Sequence, residues 1–200
     1  SHDSMSLWMR THRPGKVVVF YGTDKTELDQ SATLQTTSIE DDNTGILKLD
    51  KLQANTRYYY RVEDHQLSGS FRTLPHADDF RNATGNPEGL FNFKFEFACG
   101  NNQRGGGDSA GPTLPVFDTL NRQVRDEIHF AILNGDWLYE DQRAYPASEW
   151  LHQVGIASLG QAPDIVQKAP TVVGVWENYK IYLERGRNLS EWHRHVPSFY

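Results

Sequence analysis

FNFKFEFACG, residues 91–100, and IHFAILNGD, residues 128–136, carry the pattern on which the second half of this chain turns. In the first, Phe91, Phe93, Phe95 and Phe97 alternate with Asn92, Lys94 and Glu96, the period of a strand, and the run stops at Ala98-Cys99-Gly100. In the second, the apolar run from His129 to Leu133 breaks at Asn134-Gly135-Asp136. Between them, after a glycine-rich loop, Pro112 opens a stretch in which Leu114, Phe117, Leu120, Val124 and Ile128 recur at three- and four-residue spacing. This predicts a strand over 91–98, a helix over 113–127 and a strand over 129–134. A strand, helix, strand unit makes the strands parallel, so that both end on one edge, where open α/β sheets bind ligands.

Upstream, residues 4–73 read as short strands without helical period: Met5 to Thr11, Lys16 to Tyr21, Thr33 to Thr37, Gly45 to Leu49 and Arg57 to Glu63. Pro14-Gly15, Gly22-Thr23-Asp24, Asp41-Asp42-Asn43 and Ala54-Asn55 break them. Strands at this spacing argue for a β-sandwich over 1–74. The run Tyr58-Tyr59-Tyr60 lies in one strand and divides between core and surface. Residues 75–90 are rich in Asn, Asp, Gly and Pro and form a linker. Downstream of Asp136, helices are expected at about 146–155 and 176–186, and Val196 to Tyr200 opens another strand. One strand, helix, strand unit with two spare helices does not close a sheet, so the chain reads as the first part of a longer protein.

Hydrophobic residues make up 38% of the 200 and the net charge is -6. That composition is globular and excludes disorder. The acidic balance leaves no basic field to hold a phosphate backbone, so no nucleic-acid-binding surface is expected. No apolar run approaches the roughly 20 residues of a membrane span. Two N-glycosylation triplets occur, Asn82-Ala83-Thr84 and Asn188-Leu189-Ser190. Oligomeric state is not legible in the sequence.

Cys99 follows the first parallel strand, Asp136 follows the second by two residues, and Tyr139 comes three residues later. Thiolate, carboxylate and phenolate there could share one cation. The last two are hard anionic donors suited to Fe(III), and a thiolate is compatible with iron. The alternative for Cys99 is a small hydrophobe buried at a strand end. In the loop after it, Gly107-Asp108-Ser109-Ala110-Gly111 fits the nucleophile elbow of serine hydrolases, and Gly105-x-Gly107-x-x-Ala110 fits a dinucleotide fingerprint. Both motifs require the strand to end directly before them, whereas polar and glycine residues intervene here. Arg104 to Gly111 is thus a loop at the edge of a site. His152, His193 and His195 could cluster, but one His-x-His beside Trp192 in a connecting segment is a weak metal signal.

Phe97-Ala98-Cys99-Gly100-Asn101 followed by Leu133-Asn134-Gly135-Asp136-Trp137-Leu138-Tyr139-Glu140 resembles the PhoD-type alkaline phosphatase/phosphodiesterase family of metallophosphoesterases. Leu7 to Thr11, Arg57 to Val62 and Gly69 to Pro75 are similar to that family's fibronectin-type-III-like N-terminal domain. Trp176 to Leu183 and Val196 to Tyr200 are similar to the segment leading into its Asp-Asp-His motif. Purple acid phosphatases share part of the pattern but carry Asp-x-Gly where this chain has Ala98-Cys99-Gly100.

The resemblance implies two domains: a fibronectin-III-like β-sandwich over 1–74 and, after the linker at 75–90, the start of an α/β metallophosphoesterase domain (an α/β/β/α sandwich) over 91–200. It implies that Cys99, Asp136 and Tyr139 bind Fe(III), with catalytic Asp136 bridging to a second divalent ion, Ca2+ first and Zn2+ or Mn2+ as alternatives. A metal-held hydroxide would attack phosphorus of a small phosphomonoester or phosphodiester. It also implies secretion to the periplasm or exterior. The competing readings are a secreted binding module without catalysis and a purple-acid-phosphatase-like enzyme.

Overall fold

Val17, Val19 and Tyr21 are buried while Lys16, on the alternate face of the same strand, is exposed. Period two of this kind builds the strands up to Arg72. The computed structural model describes residues 1–35, 42–90, 93–100, 105–106, 109–110, 114–136 and 187–200. They fall into two compact units, Ser1–Lys94 and Phe95–Tyr200. Among the described residues strands predominate and helices are few.

In the first unit, β1 (Ser4–Arg10) pairs antiparallel with β4 (Thr44–Asp50). A second antiparallel sheet runs in the order β3 (Gln30–Gln35), β2 (Lys16–Gly22), β5 (Arg57–Val62), β6 (Ser68–Arg72). Both sheets feed one core. Val17, Val19, Tyr21, Tyr58 and Phe71 meet Leu47, Leu49 and Leu52, with Met5, Leu7, Met9 and Leu34 packed against them. Alternate residues of β1 reach this cluster, whereas Trp8 and its cross-strand partner Ile46 are exposed on the other face. Tyr58 and Tyr60 both join the core, Tyr58 stacking on Phe71 with ring centroids 5.5 Å apart. Gly45 permits β4 to approach β3, because a Cβ there would lie 2.8 Å from Leu34 Cδ2.

Two side chains hydrogen-bond the backbone between β4 and β5. Thr73, fully buried, donates its hydroxyl to the Gln53 carbonyl at 2.6 Å and accepts from the Thr56 N–H at 2.9 Å. The Tyr58 hydroxyl accepts from the Gln53 N–H at 2.9 Å. Strand β6 was not among the strands expected: Ser-Gly-Ser has little intrinsic strand preference, and its pairing with β5 supplies what propensity does not.

In the second unit, β7 (Phe95–Ala98), β10 (Phe130–Leu133) and β11 (Ser198–Phe199) form a parallel sheet in the order β11-β10-β7. The parallel pairing follows expectation, but β7 starts at Phe95, leaving Phe93 and Lys94 outside it. The connecting helix α1 (Pro115–Gln123) is shorter than 113–127. Pro115 occupies its first turn, where the missing N–H costs nothing, and Leu114 enters with φ 43°. It ends where the Val124 and Arg125 N–H groups both turn onto the Leu120 carbonyl. A short antiparallel pair, β8 (Gly105–Gly106) and β9 (Ser109–Ala110), lies in the loop before it.

Helix α2 (Arg187–His195) precedes β11. His193 and His195 are therefore helical, not part of a connecting segment. Leu189, Trp192 and Val196, spaced three and four apart, are buried, and Trp192 meets Phe117 of α1 edge to face at 5.9 Å. Ala131 and Leu133 of β10 are buried too. The opposite face of the sheet carries Phe95, Phe130 and Phe199, with Phe130 stacked on Phe95 at 5.4 Å and edge to face with Phe199 at 5.7 Å. The helices expected at 146–155 and 176–186, together with Tyr139 and His152, lie outside the described residues.

Candidate functional site

The parallel sheet sends β7, β10 and β11 to one edge, and each strand is followed there by a polar or reactive residue. Past β7 come Cys99 and Gly100, past β10 Asn134, Gly135 and Asp136, and past β11 Tyr200. The ladder continues beyond the strands. The Asn134 N–H donates to the Ala98 carbonyl at 2.7 Å and the Gly100 N–H donates to the Gly135 carbonyl at 3.2 Å. These two bonds tie the turn bearing Cys99 to the turn bearing Asp136.

Both turns use left-handed backbone. Gly100 has φ 81°, Gly135 has φ 78° and Asp136 has φ 48°. Space is not the reason for glycine at 135, since a Cβ there would meet nothing within 4 Å. Its conformation is the reason, because a side chain in the left-handed region costs about 1–2 kcal/mol. Aspartate is among the few residues other than glycine that visit this region.

Cys99 is exposed, which removes the reading of it as a buried small hydrophobe. Asp136 is exposed as well. Among the described residues no group of three or more His, Cys, Asp or Glu side chains is assembled that could hold a metal ion. Cys99 and Asp136 stand on adjoining turns, and Tyr139 lies outside the described residues. The donor set of a thiolate and a carboxylate fits an iron-type ion.

The other motifs resolve through backbone geometry. Ser109 lies in β9, whose partner is β8 and not the parallel sheet, so the strand that carries it is not the one a nucleophile elbow requires. Gly105 follows the end of β7 by seven residues, so the dinucleotide fingerprint lacks its strand.

Nothing in the sequence reading pointed to a contact between His193 and Tyr200. The His193 Nε2 is hydrogen-bonded to the Tyr200 hydroxyl, which stands at the same strand-end edge. Burial lowers the His193 pKa to about 4, so its imidazole is neutral at pH 7. The signal was the parallel sense of β11, which brings its C-terminal end beside that of β10. His195 engages Glu191 at 3.1 Å instead, so the two histidines of His-x-His serve different partners. Burial, with the Arg125 charge, pulls the His195 pKa down. Glu191 also meets Arg125 at 3.4 Å, joining the turn after α1 to α2, and pairs with Arg194 within α2.

No family model matches the sequence, and no curated protein matches it. Among solved structures, one described as the structure of PhoD superimposes on 98% of this chain with a TM-score of 0.66. The fold is PhoD-like. Identity to PhoD is 17% and this chain spans 35% of the PhoD chain, so the likeness is one of fold. The pullulanase from Bacillus acidopullulyticus, 10% identical over 99% of this chain and 28% of its own, has a TM-score of 0.26. The Group B Streptococcus pullulanase SAP, 10% identical over 73% of this chain and 25% of its own, has a TM-score of 0.22. Those two scores carry no structural argument beside the PhoD-like match.

Proposed function

We propose that this chain belongs to a metal-dependent phosphoester hydrolase acting on small phosphomonoesters or phosphodiesters. In this reading 1–74 is a fibronectin-III-like sandwich, 75–90 a linker, and 91–200 the first part of an α/β metallophosphoesterase domain in an exported protein. The observation that carries it is the pair of hydrogen-bonded turns, bearing exposed Cys99 and Asp136, at the C-terminal edge of a parallel sheet in a PhoD-like fold. Open α/β sheets bind ligands at that edge.

Cys99, Asp136 and Tyr139 would hold Fe(III), and Asp136 would also serve a second divalent ion, Ca2+ first, with Zn2+ or Mn2+ as replacements. Bound there, the metals would neutralise phosphate charge and lower the pKa of water to make a nucleophile near neutral pH. The chain's own contribution is positional. The Gly100 to Gly135 bond sets the spacing of the two donor turns, and the left-handed pair Gly135-Asp136 bends the chain after β10.

The test is metal analysis, visible spectroscopy and hydrolysis of p-nitrophenyl phosphate and bis(p-nitrophenyl) phosphate by the natural polypeptide that carries these residues. Bound iron with a phenolate-to-Fe(III) charge-transfer band, removed by Tyr139→Phe, is the expected result. Asp136→Asn should abolish turnover at unchanged circular dichroism, since it removes a charge and hardly any volume. A colourless, zinc-only protein would overturn the iron assignment, and near-normal turnover in Asp136→Asn would overturn the hydrolytic role.

A further inference from the structure

The two Asn-x-Ser/Thr triplets are equivalent as text and opposite as structure. Asn82, Ala83, Thr84 and Gly85 are all exposed. They form the tip of a five-residue loop closed by one isolated bridge, in which the Asn82 and Asn86 backbones exchange N–H to carbonyl bonds of 3.1 and 3.2 Å. The Asn82 Oδ1 accepts from the Gly85 N–H at 2.6 Å, which fixes the carboxamide at the tip. No core residue comes from this tip. Opening it breaks a few exposed hydrogen bonds and uncovers no apolar surface, so it belongs to the low-stability end of local openings.

Asn188 stands in α2 instead. Its carbonyl accepts from the Asn121 Nδ2 at 3.0 Å, and the next residue, Leu189, is fully buried, as is Trp192 one turn on. An enzyme that draws the acceptor peptide out in extended form would have to dismantle α2 and its packing on α1.

We infer that Asn82 is an N-glycan acceptor and that Asn188 is not glycosylated in the folded protein. The donor is a polyprenyl-pyrophosphate-linked oligosaccharide. The Asn82 Nδ2 bonds to the anomeric carbon of the first sugar, the bond from that carbon to the pyrophosphate oxygen breaks, and the amide proton leaves with the lipid pyrophosphate. Neither electrons nor metal are exchanged. The inference is independent of the hydrolase reading and shares with it only export of the chain.

The test is secretion of the 200-residue chain from a eukaryotic cell, with band shift on treatment with peptide:N-glycosidase and peptide mapping of the deamidated site. A single-step shift in the native chain, lost in Asn82→Gln and in Thr84→Ala and retained in Asn188→Gln, is the expected result. A secreted chain with no shift would overturn the inference, and so would a shift that survives Asn82→Gln. Thr84→Ala leaves the Asn82 side chain in place, so loss of the shift there separates loss of acceptor recognition from a change in folding. Hydrolysis assays on the same samples read the proposed activity separately.

Discussion

The first unit closes its core between two antiparallel sheets, while the second covers one face of a parallel sheet and leaves aromatic side chains open on the other. In the first, residues from both sheets enter one buried cluster, and the alternation of Met5, Leu7 and Met9 against Ser6 and Trp8 reports directly which side is inside. In the second, Ala131 and Leu133 are buried on one face, whereas Phe95, Phe97 and Phe199 are 47%, 59% and 60% exposed. The alternation in FEFA therefore marks two faces without marking the inner one: its phenylalanines are the exposed set. Hydrophobic pattern identifies a strand, and only its neighbours decide which face is dry.

The sharpest way to break this contrast is truncation on each side of it. Phe71→Ala in the sandwich and Trp192→Ala in α2 should each cost about 3–5 kcal/mol in urea unfolding, since both side chains are buried almost completely. Phe97→Ala, on the open face, should change stability by no more than about 0.5 kcal/mol, the range of an ordinary surface substitution. A loss at Phe97 as large as that at Trp192 would show that the open face is covered in solution.

The polar interior separates the units next. Thr73→Val keeps the shape but leaves the Thr56 N–H and Gln53 carbonyl without that partner, and should cost about 1–3 kcal/mol, read as a lower unfolding midpoint. In the second unit the matching position is a backbone one. Gly135→Ala should cost about 1–2 kcal/mol because alanine must enter the left-handed region at φ 78°, although its methyl group meets no neighbour. An unchanged midpoint in Gly135→Ala would mean that the turn after β10 relaxes without cost.

Titration gives the smallest effects and the clearest sign. Burial holds the His193 pKa at about 4 in the folded chain against an ordinary 6.5, so the unfolded chain takes up the proton first as pH falls. The second unit should lose stability from about pH 6.5 down to about 4, and His193→Gln should weaken that dependence in pH-dependent melting, leaving the share that His195 contributes. Burial raises the Glu96 pKa, which disfavours its charged form at pH 7. Glu96→Gln should therefore raise the melting midpoint at pH 7 and leave it unchanged below the carboxylate range. A lower midpoint at pH 7 would reveal a stabilising partner for the Glu96 carboxylate.

Five of the six strands of the sandwich, the parallel pairing of β7 with β10 and the strand at 198–199 were legible from apolar runs, alternation and turn residues. Each depends on local propensity and period, which are written in consecutive residues. The candidate site was legible in part, because strand ends fix where Cys99 and Asp136 stand once the crossover is recognised. The sequence by itself thus determined where strands run and which turns reach the common edge. Tertiary structure alone decided that His193 serves Tyr200, that Cys99 is exposed, and that Asn188 is locked in a helix while Asn82 stands at a loop tip. Those outcomes depend on residues far apart in sequence or on which surfaces meet, and burial and long-range hydrogen bonds come into being only when the chain packs.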